Sequence, residues 1–350
     1  MNTRRKKPVQ INLALQGGGA HGAFTWGVLD RLLEDEGIEV AAISGTSAGA
    51  LNGAAFKAGM IEDGRAGAKR NLDWFWGQVG ALNDTRLADW MAEISPAPGI
   101  IAQALENSLP YSLADAASRV MSPYAYGPFY QNPLERIVKR FHYESVCAHS
   151  GPALFISATN VRSGKIRVFS YEEITTDVMM ASACLPTLFQ AVEIDDATTG
   201  RREAFWDGGY TGNPALFPLF NPELPRDVVV VNINPLERDE VPVTSQDILN
   251  RINEISFNSS LLRELRAIQF VRSLIADGRI QKGTMKDVLV HMIADDALMT
   301  ELSVATKLVP QPVVLHKLKQ AGREAAAAFL EAHKDDLGKR PSVDLPAMFS

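Results

Sequence analysis

The spacing of apolar residues divides the chain into strands and helices that follow one another in a regular order. Val9-Gln10-Ile11-Asn12-Leu13-Ala14-Leu15 alternates and then turns apolar, which predicts a first strand running into Gln16-Gly17-Gly18-Gly19-Ala20-His21-Gly22. Over residues 23–36, Phe24, Val28, Leu29 and Leu32 recur on one helical face, and Gly37 stands where such a helix would stop. Residues 38–44 predict a second strand, and the small residues of 48–55 are compatible with a helix. Strand, glycine loop, helix, strand, sharp turn and helix together imply an α/β architecture with a parallel sheet.

Residues 60–145 break that rhythm. Trp74, Phe75 and Trp76 precede helical spacing at Leu87, Trp90, Met91 and Ile94, then at Ile100, Ile101 and Leu105. Aromatic residues crowd 124–130, followed by an apolar stretch over 134–141. With no strand signal, this stretch reads as a helical cap or insertion over the sheet, its aromatics filling a core. The sheet resumes at 153–158 and 166–169. The unbroken apolar run 227–233 requires a strand buried on both faces. A long amphipathic helix is marked by Ile252, Ile255, Leu262, Leu265, Ile268 and Ile275, a last strand by 287–293, and a terminal helix by 322–334. The chain beyond Pro341 reads as loosely ordered.

Composition narrows the function. At 350 residues and 46% hydrophobic, the chain can bury a sizeable core, and a net charge of −6 argues against a nucleic-acid partner. Its basic cluster, Arg4-Arg5-Lys6-Lys7, reads as a solvated tail that could also give peripheral contact with an anionic membrane. Cys147 and Cys184 have neither metal-ligand nor disulfide spacing. The apolar run after the tail is too short for a signal sequence, and no run is long enough to span a bilayer. The expected setting is therefore cytoplasmic.

Three motifs carry the chemistry. Gly45-Thr46-Ser47-Ala48-Gly49 lies at a strand-to-helix junction, the form of a nucleophile elbow, where small neighbours let Ser47 stand clear of the sheet at a helix N-terminus. Gly17-x-Gly19-x-x-Gly22 also fits a dinucleotide fingerprint. However, Glu39 lies at the start of the second strand, not at its end, where a ribose would need it, so three consecutive glycines better suit a loop offering N–H groups to a small anion. The histidines at 142, 149, 291, 316 and 333 lack a site-like context. Asp207, before Gly208 and Gly209 and after an apolar segment, is the better candidate base, since partial burial raises a carboxyl's pKa.

In this order and spacing, the glycine loop, Gly-Thr-Ser-Ala-Gly and Asp-Gly-Gly resemble the patatin-like phospholipase family over residues 9–235. The block Ala181-Ser182-Ala183-Cys184-Leu185-Pro186-Thr187-Leu188-Phe189 is also similar to the family's block before the aspartate. The resemblance implies a three-layer α/β fold with a mostly parallel central sheet, helices on both faces and a helical cap. It implies a tail at 1–8, a hydrolase domain at 9–235 that includes the 60–145 cap, and a helical extension at 236–350 packed on the same domain. Ser47 would be the nucleophile and Asp207 the base. The 17–19 loop (Gly17, Gly18, Gly19) and Ala48 would receive the oxyanion, with Gly22, Gly45, Gly49, Gly208 and Gly209 as motif glycines. The expected substrate is a lipid or other acyl ester, with no metal or organic cofactor. An acyltransferase with the same acyl-enzyme, and a catalytically silent lipid-binding scaffold, are the alternatives. Gln16 and His21 replace an acidic residue and an arginine found in many members, so a bracing charge pair becomes two neutral groups.

Overall fold

A computed structural model describes residues 7–81, 122–129, 132–281 and 283–350. The expectations for Arg4, Arg5, Lys6, Leu87, Trp90, Met91, Ile94, Ile100, Ile101, Leu105 and Tyr130 lie outside the described residues.

Eight strands form one sheet in the order β5-β6-β3-β2-β1-β7-β8, with β4 also pairing β3. They are β1 (Val9–Leu15), β2 (Ile38–Gly45), β3 (Ala153–Asn160), β4 (Ile166–Ser170), β5 (Val192–Asp196), β6 (Arg201–Asp207), β7 (Asp227–Val231) and β8 (Leu289–Ile293). From β3 to β8 all neighbours are parallel, whereas β4, β5 and β6 enter antiparallel. The sequence shows the parallel half through its apolar runs. The β5–β6 hairpin was not expected, because its short, charge-rich strands expose one side and carry weak apolar patterning.

Alternation along the strands sends side chains to two cores. Ile11, Leu13, Leu15, Val229 and Val231 face one side, where α1 (Ala23–Leu32), α2 (Ala48–Ala81) and α9 (Pro312–His333) pack. Ala14, Val228 and Val230 face the other, against Leu261, Leu265 and Ile268 of α6 (Ser245–Ala276). This is a three-layer α/β arrangement. Helix α2 is broken at Asp63 and Gly64, and Phe75 and Trp76 beyond the break are buried in the core. Shorter helices are α3 (Glu135–Val138), α4 (Tyr143–Val146), α5 (Thr176–Ser182), α7 (Asp296–Glu301), α8 (Val304–Leu308) and α10 (Leu345–Met348).

Two local expectations need correction. Ile252 and Ile255 are 55% and 54% exposed, because the first half of α6 turns Glu254 and Asn258 inward instead. The end of the chain is also ordered, since α10 starts with Pro at its first turn and buries Leu345 against the second core.

Candidate active site

Strands β1 and β2 run parallel and end level, with Leu15 beside Gly45, so the glycine loop and the serine turn emerge side by side. Ser47 adopts φ 53°, a left-handed conformation that a residue with a Cβ enters at a cost. The surroundings hold it there. Thr46 is buried and donates its hydroxyl to the Gly212 carbonyl at 2.6 Å, with Ser157 Oγ at 2.5 Å, while Ser47 N–H donates to Ser182 Oγ at 2.9 Å. Gly49, opening α2, lies so close to β1 that a Cβ would strike the Leu15 carbonyl. Equivalent atoms on Gly17 and Gly22 would come within 2.7 Å of Ser47 Cβ and 2.6 Å of Ala48 Cβ, and on Gly45 within 2.6 Å of the Gly49 carbonyl. Loop and elbow are thus packed in direct contact.

Asp207 ends β6, 1% exposed. Its backbone is fixed on both sides, with N–H donating to the Cys184 carbonyl at 2.8 Å and the carbonyl accepting from Thr159 Oγ1 at 2.8 Å. Its Oδ1 accepts from Gly209 N–H at 2.7 Å. Burial pushes the carboxyl up to about 7, while the Gly209 N–H and a side-chain hydrogen bond with Ser47 pull it back. Gly208 and Gly209 fit against the Ser157 carbonyl and the Phe257 ring, with no room for a Cβ. The structure therefore brings Ser47 and Asp207 together from positions 160 residues apart.

The loop is braced without charge. Gln16 is fully buried, and its Oε1 accepts from Ile233 N–H at 2.9 Å, Asn234 N–H at 3.1 Å and Asn234 Nδ2 at 3.1 Å. Its Nε2 donates to Asn258 Oδ1 at 3.1 Å and the Asn213 carbonyl at 3.3 Å. Asn213 Oδ1 accepts from Gly17 N–H at 2.6 Å, and Asn234 Nδ2 donates to the Gly17 carbonyl at 2.9 Å. This corrects one expectation: Gly17 N–H is already engaged and cannot face an oxyanion. Among the described residues, the N–H groups of Gly18, Gly19 and Ala48 meet no acceptor. Gly19 takes φ 58°. His21 is buried, with Nε2 2.8 Å from Thr306 Oγ1, and burial followed by nearby Lys307 holds its pKa well below the usual value.

Sequence reasoning missed this amide hub. Ser182 lies inside the block at 181–189 already singled out, and Asn213 stands six residues past Asp207. Asn234 and Asn258 gave no local signal, because Asn258 meets Gln16 across 242 residues. Among the described residues, no group of three or more His, Cys, Asp or Glu could hold a metal ion. Both cysteines are free thiols.

The parallel strands of this α/β sheet thus deliver a strained serine turn beside a glycine loop, with a buried aspartate alongside. The model of the patatin-like phospholipases matches residues 13–220, well over half of the chain, and the chain belongs to that family of lipid-hydrolysing enzymes. No curated protein matches it. Solved structures similar to it include VipD from Legionella pneumophila, at 16% identity, covering 93% of this chain and 67% of VipD with a TM-score of 0.43. The type III effector ExoU is 15% identical over 94% of this chain and 54% of its own, at a TM-score of 0.35. ExoU with SpcU, from the type III secretion system of Pseudomonas aeruginosa, gives 15%, 93%, 53% and 0.30. The chain spans about half the length of the ExoU chains.

Proposed function

We propose that the protein is a lipid acyl hydrolase that cleaves carboxylic esters through a Ser47–Asp207 dyad and an acyl-enzyme. The observation that carries this reading is a strained Ser47 beside the buried Asp207, whose carboxyl burial pushes up to about 7. Asp207 takes the proton from Ser47 Oγ as that oxygen attacks the ester carbonyl. Negative charge on the carbonyl oxygen is met by the N–H groups of Gly18, Gly19 and Ala48, preorganised at the end of the sheet and the start of α2. Collapse of the adduct expels the alcohol, which leaves with the proton from Asp207. Asp207 then deprotonates a water that attacks the acyl-enzyme, and Ser47 leaves with the proton as the fatty acid is released.

A carboxylate titrating near neutrality suits both proton transfers, since it is ionised enough to accept and acidic enough to return the proton. The same reading takes 9–235 as the hydrolase domain and 236–350 as an extension packed on it, working at a membrane surface from the cytoplasmic side. No helix among the described residues is long and apolar enough to cross a membrane.

The test is turnover of a p-nitrophenyl acyl ester together with labelling by a fluorophosphonate probe. Wild type should show both. Ser47→Ala should lose both, and Asp207→Asn should lose turnover, with thermal midpoints close to wild type for each. Full turnover in either folded variant would defeat the proposal.

A further inference from the structure

Helix α6 lies beyond the residues 13–220 that the family model matches, yet one of its side chains reaches the turn that follows Asp207. A Cβ built on Gly209 would strike Phe257 Cε1 and come within 3.0 Å of Asp207 Oδ1, so the ring edge and the carboxylate both crowd one glycine. The helix is pinned in that register. Asn258 Oδ1, next to Phe257, accepts from Gln16 Nε2 at 3.1 Å, and Ser260 Oγ accepts from Asn213 N–H at 3.1 Å. The Phe257 ring also meets the Tyr210 ring, with centroids 5.4 Å apart. Phe257 is half-buried and Tyr210 is 38% exposed, whereas Asp207 is 1% exposed. The two aromatic rings thus lead from solvent to the buried turn.

Among the described residues, no cation pairs with Asp207. Burial acts on its carboxyl most strongly, followed by the Gly209 N–H and the Ser47 hydroxyl. Its titratable neighbours Cys184 and Tyr210 are neutral at pH 7, since burial and then Asp207 itself push each of them up to about 12. On α6, Glu254 is taken up by Arg238 at 2.6 Å and Arg251 at 3.2 Å, and Glu264 by the N–H groups of Leu216 at 3.0 Å and Phe217 at 2.7 Å. With no counter-ion to compensate, the proton affinity of Asp207 follows how much water reaches it.

We propose that Phe257 is a positioning residue for the ester hydrolysis: its ring closes the Gly208-Gly209 turn against water and so keeps the Asp207 carboxyl dry enough to serve as the base. A hydrated carboxylate is a weaker base, so a residue outside the matched domain sets the strength of the proton acceptor. Because Phe257 is itself half-buried, the space left by truncating it opens to solvent, and water then comes up to Gly209 and the carboxyl behind it. The inference rests on the Ser47–Asp207 reading and adds to it what governs the base.

The test is the pH profile of kcat/KM on p-nitrophenyl butyrate, read at the wavelength where p-nitrophenol and its anion absorb equally. Wild type, Phe257→Leu, Phe257→Val and Phe257→Ala are measured alongside thermal midpoints. Hydration lowers a carboxyl that burial had raised, so the midpoint of the profile should fall from about 7 in wild type by about one pH unit in the Ala variant and by less in the Val variant. The plateau should drop about threefold in the Ala variant, because the base is weaker. Phe257→Leu, which keeps the turn covered, should retain the wild-type midpoint. A loss of equal proportion at every pH in the folded Ala variant would make Phe257 a packing residue and overturn the inference, and so would an unchanged profile. Deuterium exchange at the Gly209 amide of wild type tests the seal without any substitution. Slow exchange is expected, and exchange at the rate of an open loop would overturn the inference even if the truncated chains failed to fold. Failure of the underlying reading has a different signature: Asp207→Asn would then keep wild-type turnover, whatever Phe257 does.

Discussion

The two sides of the site are built by opposite means. The Ser47 side, at the ends of β1 and β2, is positioned by backbone: a left-handed Ser47, a Gly49 pressed on the Leu15 carbonyl, and a loop whose glycines leave no spare volume. The Asp207 side, at the end of β6, is positioned by burial and long-range pairing, since Asp207 comes beside Ser47 through an antiparallel hairpin that joins the edge of β3. The first is local geometry that tolerates no added atom. The second is an electrostatic environment that sets a proton affinity.

If that contrast holds, substitutions on the two sides should fail differently. The largest effects are chemical: Ser47→Ala and Asp207→Asn should each lower kcat/KM on an acyl ester by about 10⁴-fold or more, with melting temperatures nearly unchanged. Gly49→Ala should instead cost about 3 kcal/mol or prevent folding, as measured by denaturant unfolding, because its methyl meets main chain that cannot yield. Gln16→Ala strips three donors of their shared acceptor in a buried setting, so a loss of about 3 kcal/mol is expected with a reduced kcat, because the loop loses its brace.

The Asp207 side should show its character in pH dependence. With Asp207 as the base proposed above, kcat/KM should rise with pH through about 7 and then level off. Stability should move the opposite way. A raised carboxyl pKa means that the folded protein holds a proton the unfolded chain has already released, so the stability this group contributes below about pH 4 is lost as pH climbs to 7. Asp207→Asn should flatten that slope. The smallest effect is expected for Ser182→Ala, which removes the acceptor of Ser47 N–H and should cost about 1 kcal/mol with a few-fold drop in kcat.

What the sequence made legible follows the same division. Ser47, its flanking glycines and the parallel strands β1, β2 and β7 could be read because a tight turn and a strand buried on both faces each demand particular residues within a few positions. Asp207 was identified as a residue, but the hairpin that carries it was not, since β5 and β6 alternate charged with apolar groups along an exposed edge. The brace around Gln16 was illegible. Neutral amides pair with partners of any sequence separation, and nothing in one asparagine marks it as buried. The engaged N–H of Gly17 follows from that same invisible network. The inward turn of Glu254 and Asn258 likewise reversed the expected stripe of α6, because polar work near the loop outweighed apolar spacing there.

The seat of Gly49 on the Leu15 carbonyl has a consequence for how the molecule wears out. Leu15 is the last residue before Gln16 and the glycine loop, while Gly49 is two residues past Ser47, so a single interlocked joint carries both the loop and the serine turn. Neither half can drift without dragging the other. Heat inactivation should therefore coincide with global unfolding, leaving no interval in which an intact scaffold houses a misaligned centre.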